Sequence, residues 1–186
     1  MAKRRVQFVL LCEDEQHVSF VIKFLKKLKL IRKGCNVRQL ARPAGTGAAD
    51  QFVLDKFPDE LDFGRKRQVA QELIVMLDGD SFGVARRVEQ LNDACSRRQV
   101  SVRSTGDAVT LIVPNWNIET WLAHLDGETV DERRSDYPKL RRARDCREHI
   151  GKLAEMCERE QLRQPAPSSL VSACKEFEAL RRRNSQ

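Results

Sequence analysis

Three runs of this chain are apolar at nearly every position: VQFVLLC (6–12), QELIVMLD (71–78) and AVTLIVP (108–114). A strand with one face in water alternates apolar and polar side chains, so an unbroken run of this kind needs cover on both faces. Strands of that type belong to a parallel sheet sandwiched between helices, and the intervening sequence has the helical period. After the first run, Val18, Val21, Ile22, Leu25 and Leu28 recur at helical spacing among Lys23, Lys26, Lys27 and Lys29. This predicts an amphipathic helix, ended by Gly34. NVRQLA (36–41) reads as a weaker second strand, and the turn-rich RPAGTGAAD leads into a helix over about 48–56. GVARRVEQLNDACSRR (83–98) places Val84, Val88, Leu91 and Cys95 on one helical side, and NIETWLAHL (117–125) starts another helix. The alternation predicts an α/β fold with a mostly parallel sheet flanked by helices.

Beyond residue 127 the chain becomes highly charged, and two helices are expected over 145–162 and 168–182. The division expected is therefore 1–127 for the α/β part and 128–186 for a charged helical C-terminal extension packed on the same domain. Lys and Arg total 34 against 27 Asp and Glu, a formal charge of +7. That balance favours polyanionic partners, nucleic acid first. The six cysteines are spread singly, with no CxxC pair and no histidine at zinc spacing, so reduced thiols are expected. The apolar run after the basic N-terminus stops within a few residues at an acidic cluster. It is too short for a signal-peptide core or a membrane span, which points to a soluble, cytoplasmic protein with no membrane contact.

The acids fall where such a sheet would use them. Glu13, Asp14 and Glu15 follow the first strand, and Asp78 and Asp80 follow the third. In open α/β sheets ligands bind outside the carboxyl ends of the strands. If the first and third strands are neighbours, Glu13, Asp78 and Asp80 converge, and three carboxylates without soft ligands suit a hard divalent cation, Mg²⁺ or Mn²⁺. Asp78 and Asp80 point the same way if extended geometry continues through Gly79. The alternative for DGD is a plain turn with a helix N-cap.

On these residues the chain resembles a Toprim domain, the Rossmann-like α/β module of topoisomerases, bacterial primases and OLD-type nucleases. LLCEDEQHVSF resembles the family's strand-terminal Glu segment, and LDGDSFG fits its DxDxxG pattern. Within that superfamily the chain is similar to small proteins of the RloB and DUF4276 kind, whose later P…IExWL segment VPNWNIETWLAHL (113–125) matches. The resemblance covers about residues 6–125. It implies Glu13 as general acid–base and metal ligand, Asp78 and Asp80 as metal ligands, and Glu119 as a further ligand. Two positions depart from the pattern: Asp14 stands where a glycine commonly follows the first Glu, and His17 where an acid is common. His17 reads as a helix-N-terminal side chain, with a catalytic role as the alternative.

What the resemblance implies is metal-dependent hydrolysis of a DNA or RNA phosphodiester by an effector of an anti-phage or restriction-associated system, with an ATPase as a candidate partner. Tyr137 is the only tyrosine, and no P-loop Lys-Ser/Thr follows the glycines of ARPAGTGAAD (41–50), so neither topoisomerase nor ATPase chemistry is expected. Arg42, Lys139, Arg141 and Arg142 are candidates for phosphate-backbone contacts, as are the pairs 86–87 and 97–98; a solvated basic face is the alternative. Trp121 fits a core position, and Trp116 packs or stacks on a base. The function from another class is a non-catalytic nucleic-acid- or protein-binding subunit of an ATPase-containing complex.

Overall fold

The computed structural model describes residues 7–31, 35–42, 48–66 and 70–184. It is an α/β fold around a four-stranded, all-parallel sheet. The strands are β1 (Gln7–Cys12), β2 (Asn36–Gln39), β3 (Gln71–Met76) and β4 (Val109–Ile112), in the order β2-β1-β3-β4. The helices are α1 (Glu15–Lys27), α2 (Ala49–Lys66), α3 (Gly83–Arg97), α4 (Ile118–Leu125), α5 (Arg147–Glu158) and α6 (Ser168–Asn184).

The unbroken apolar runs are explained by two cores, one on each side of the sheet. Phe8, Leu10, Ile74, Met76 and Ile112 face α1, α4, α5 and α6, where they meet Phe20, Phe24, Trp121, Ile150 and Phe177. Val9, Leu11, Leu73, Val75 and Leu77 face α2 and α3, against Val53, Phe57, Leu61 and Leu91. Because successive side chains point to opposite faces, both sets must be apolar. The C-terminal helices share the first of these cores. Trp121 lies at its centre with its Nε1 donating to Ser169 Oγ at 2.8 Å, as its helical position predicts.

Several boundaries differ from expectation. α1 ends at Lys27, where Lys29 takes φ +57 and Leu30 N returns to Leu25 O. The chain thus turns off before Gly34, which lies outside the described residues. α2 runs ten residues past its expected end, through Pro58. The backbone hydrogen bond that a proline removes is offset there by burial of Phe57 and Leu61 against the sheet. Residues 43–47 of the glycine-rich segment also lie outside the described residues.

The expectation of six reduced thiols is corrected at one pair. Cys157 on α5 and Cys174 on α6 form a disulfide, with Cα atoms 5.4 Å apart. Their spacing in sequence carries no such signal; packing of the two helices brings them within bonding range. Among the described residues no helix is long and apolar enough to cross a membrane.

The outer edge of β4 is covered by charged side chains. Leu111 N donates to Glu176 of α6 at 3.3 Å, and Val109 O accepts from Arg103 at 3.0 Å. Such cover satisfies an edge that would otherwise invite another strand.

Leu10, fully buried in the central strand, reports on the assembly of the first core. Leu10→Ala is expected to lower stability by about 2–5 kcal/mol, read as a lower urea midpoint at unchanged slope. A loss under about 1 kcal/mol would contradict a close-packed environment at this position.

Candidate active site at the carboxyl edge

The strand order places a topological switch between β1 and β3. The chain leaves β1 toward β2 by α1 on one face, and leaves β3 toward β4 by α3 on the other. The crevice at such a switch, outside the strand carboxyl ends, is where α/β sheets bind ligands. Here it is lined by the residues that follow the two central strands.

β1 and β3 run in register from Gln7↔Gln71 to Cys12↔Met76, and the ladder continues as Glu13 N donates to Met76 O at 3.0 Å. Glu13 and Asp78 are thereby held side by side, and Asp78 N donates to Glu13 Oε2 at 2.9 Å. From α1, His17 Nε2 lies 3.1 Å from Asp78 Oδ1. Asp14 is the N-cap of α1, its Oδ1 accepting from His17 N at 2.8 Å. That gives the aspartate found in place of a glycine a structural task.

Asp80 departs from the geometry the sequence suggested. Gly79 takes helical angles (φ −73, ψ −29) and Asp80 the left-handed φ +50, so the extended chain ends at once and the two aspartates do not point alike. Asp80 instead meets Arg87 of α3, whose Nη2 donates to its Oδ2 at 2.6 Å. Arg87 also donates to Asp78 O at 2.9 Å and Asp50 Oδ2 at 2.9 Å. The guanidinium is buried, at 1% exposure, and meets acids that stay partly open to solvent, the Asp80 and Asp50 side chains being 46% and 28% exposed. Of the arginines read as a solvated or phosphate-contacting pair at 86–87, Arg87 is therefore turned inward. The signal was present: Arg87 falls on the same stripe of α3 as Val84, Val88 and Leu91.

Gly79 is required by close approach of backbone to backbone. A Cβ there would lie 2.2 Å from Asn115 O and 2.7 Å from Pro114 O, just after β4. Gly79 N donates to Pro114 O and Asp80 N to Trp116 O, at 2.9 and 2.8 Å. The neighbour that needs this glycine is thus the chain's own 114–116 segment. Gly83, at φ +72, makes the turn into α3.

Glu119 is buried in the first turn of α4 and accepts from Gln16 Nε2 at 3.2 Å, beside α1. Lys139, Arg141 and Arg142 are exposed on the segment before α5 and stand outside the network around Glu13; Arg42 is exposed after β2.

Burial raises the Glu13 carboxyl above its ordinary range. The Asp78 N–H opposes that rise, and the charges of Asp78 and Asp80 add to it. His17 experiences opposite pulls. Complete burial disfavours its charged form, but the hydrogen bond and charge of Asp78, with Asp14 and Glu13, outweigh burial and raise it to about 9. Its Nδ1 has no hydrogen-bond partner and faces Asp14 Oδ1 at 3.8 Å. The imidazolium is thus a buried cation beneath the carboxylates.

The donors at this edge are carboxylate oxygens, the class a hard divalent cation selects. Glu13, Asp78 and Asp80 each commit one oxygen within the protein, to Asp78 N, His17 and Arg87 respectively. Among the described residues no three His, Cys, Asp or Glu side chains form a ready metal-holding group. The donor chemistry fits Mg²⁺ or Mn²⁺, while Asp80 is engaged with Arg87. Comparison with protein-family models, curated proteins and solved structures finds no match.

The His17 environment sets a pH dependence. A folded-state pKa raised to about 9, against an ordinary value of 6.5, means that its stabilisation is fully present below 6.5. It is lost as pH rises through 9, and the whole effect is on the order of 3 kcal/mol. Urea unfolding in EDTA is expected to show stability falling between these limits, and His17→Gln to flatten that fall. An equal fall in both proteins would contradict a charged His17.

Proposed function

We propose that this protein is a metal-dependent, Toprim-type phosphodiesterase acting on nucleic acid. The observation that carries the proposal is the juxtaposition of Glu13 with Asp78 across the two central strands, at the switch point of the sheet. Glu13, Asp78 and Asp80 would hold the metal, with Glu119 as a further ligand. Bound there, Mg²⁺ or Mn²⁺ would supply positive charge against the phosphate and lower the pKa of water.

The chain's own groups have distinct parts. Glu13, its carboxyl raised by burial, is placed to accept a proton from the attacking water. His17 fixes Asp78 through Oδ1 and offsets the charge of the acids around it. Arg87 fixes Asp80 and the backbone of Asp78. The net charge of +7 supports a polyanionic substrate, whose phosphates would meet the exposed side chains of Arg42, Lys139, Arg141 and Arg142.

The engagement of Asp80 by Arg87 favours a second function, a non-catalytic nucleic-acid- or protein-binding subunit beside an ATPase. One set of experiments separates the two. With Mg²⁺ or Mn²⁺ at about a hundred times its Kd, the catalytic protein gains roughly 2.7 kcal/mol of stability. The Asp78→Asn, Asp80→Asn double variant gains none. Cleavage of single- or double-stranded DNA or RNA requires metal and falls about 100-fold or more in Glu13→Gln. Equal stabilisation of both proteins, or cleavage undiminished in Glu13→Gln, would overturn the proposal. Nucleic-acid binding without cleavage would leave the binding subunit.

A further inference from the structure

Phe82 is the most exposed large apolar side chain among the described residues, with 53% of its surface open. Isolated surface apolar groups are common and by themselves mean nothing. This one differs in its position and in what lies under it. It closes the short 3-10 turn Asp80–Phe82, and its N–H donates to Gly79 O at 3.1 Å. The left-handed Asp80 and Gly83 bracket it. Its ring lies 5.0 Å from the guanidinium carbon of Arg87, the same buried group that grips Asp80. A cation held at an aromatic face seats the ring. The aromatic surface is therefore fixed at the rim of the carboxylate edge, with more than half of it left to solvent.

We propose that Phe82 is a stacking platform for an unpaired nucleobase, so that the site takes single-stranded nucleic acid, or a strand end freed from its partner. The inference rests on the nucleic-acid reading above and deepens it. An aromatic ring beside a site for phosphate esters fits the nucleobase, the one flat and apolar part of such a substrate. Stacking is indifferent to base identity, because every base has a π-face. Inside a duplex each base is already stacked on both sides, and Phe82 has nothing to receive. Docking a base on the ring brings its flanking phosphates to the edge where Glu13 and Asp78 stand.

The test measures binding apart from hydrolysis. Fluorescence anisotropy is read with labelled oligothymidylate, oligouridylate, an abasic oligonucleotide and a blunt duplex, with Ca²⁺ in place of Mg²⁺. Phe82→Leu keeps an apolar cover over Arg87 but has no ring, and Phe82→Trp keeps a ring; circular dichroism checks that both fold. Phe82→Leu is expected to bind the two single-stranded oligonucleotides roughly ten-fold more weakly than wild type, and Phe82→Trp to bind them comparably. Affinity for the abasic strand and the duplex is expected to be unchanged in both. Unchanged single-strand affinity in Phe82→Leu overturns the stacking role alone, as does an equal loss on all four ligands. Failure of the wild type to bind any of the four overturns the nucleic-acid reading, and this inference with it.

Discussion

The parallel pairing of β1 with β3 is the constraint on which the carboxyl edge depends. Six residues of each strand run in register, and the backbone bond from Glu13 N to Met76 O carries that register one step past the strands. Glu13 and Asp78 adjoin because this register sets Glu13 opposite Leu77, one residue short of Asp78, whose N–H reaches the Glu13 carboxylate. Apolar cover on both faces of the sheet fixes this register, since a slip of one residue would exchange the two side-chain sets between the cores. The acids owe their meeting to Phe8, Leu10, Ile74 and Met76 on one side and to Val9, Leu11, Leu73 and Val75 on the other.

Acids brought together in this way repel one another, and the protein supplies two buried cations against that repulsion. His17 lies against Asp78 from one face of the sheet, and Arg87 holds Asp80, Asp50 and the Asp78 carbonyl from the other. Removing the acid partner of a buried cation leaves its charge uncompensated, so both residues act on the shape of the site as well as its electrostatics. Gly79 completes the arrangement by letting the end of β3 lie against the 114–116 segment beyond β4.

Much of the fold was legible in the sequence, because apolar runs and helical stripes report burial directly. VQFVLLC, QELIVMLD and AVTLIVP became β1, β3 and β4, and the period of 83–98 became α3. Helix ends were less so: Lys29 takes a left-handed cap usually left to glycine, and α2 crosses Pro58 because tertiary burial outweighs local propensity. At the site, the positions of Glu13 and Asp78 at strand ends were visible, whereas the turn of Asp80 toward Arg87 was not. It depends on the backbone angles of Gly79 and Asp80 and on a partner seven residues on, which spacing does not encode. The inward place of Arg87 was readable from its stripe on α3, but its charge argued for the surface. The Cys157–Cys174 bond had no sequence signal, since only the packing of α5 on α6 creates it.

The proposed function requires the ends of β1 and β3 to form a single cation-binding edge. Titration of isotope-labelled protein with Mn²⁺, followed by amide NMR, tests it most directly, because paramagnetic broadening falls off steeply around the bound ion. Broadening at low Mn²⁺ is predicted to centre on the amides of Glu13, Asp78 and Gly79. Broadening centred on other exposed acids such as Asp126 or Asp136, or spread evenly over the surface, would contradict the claim.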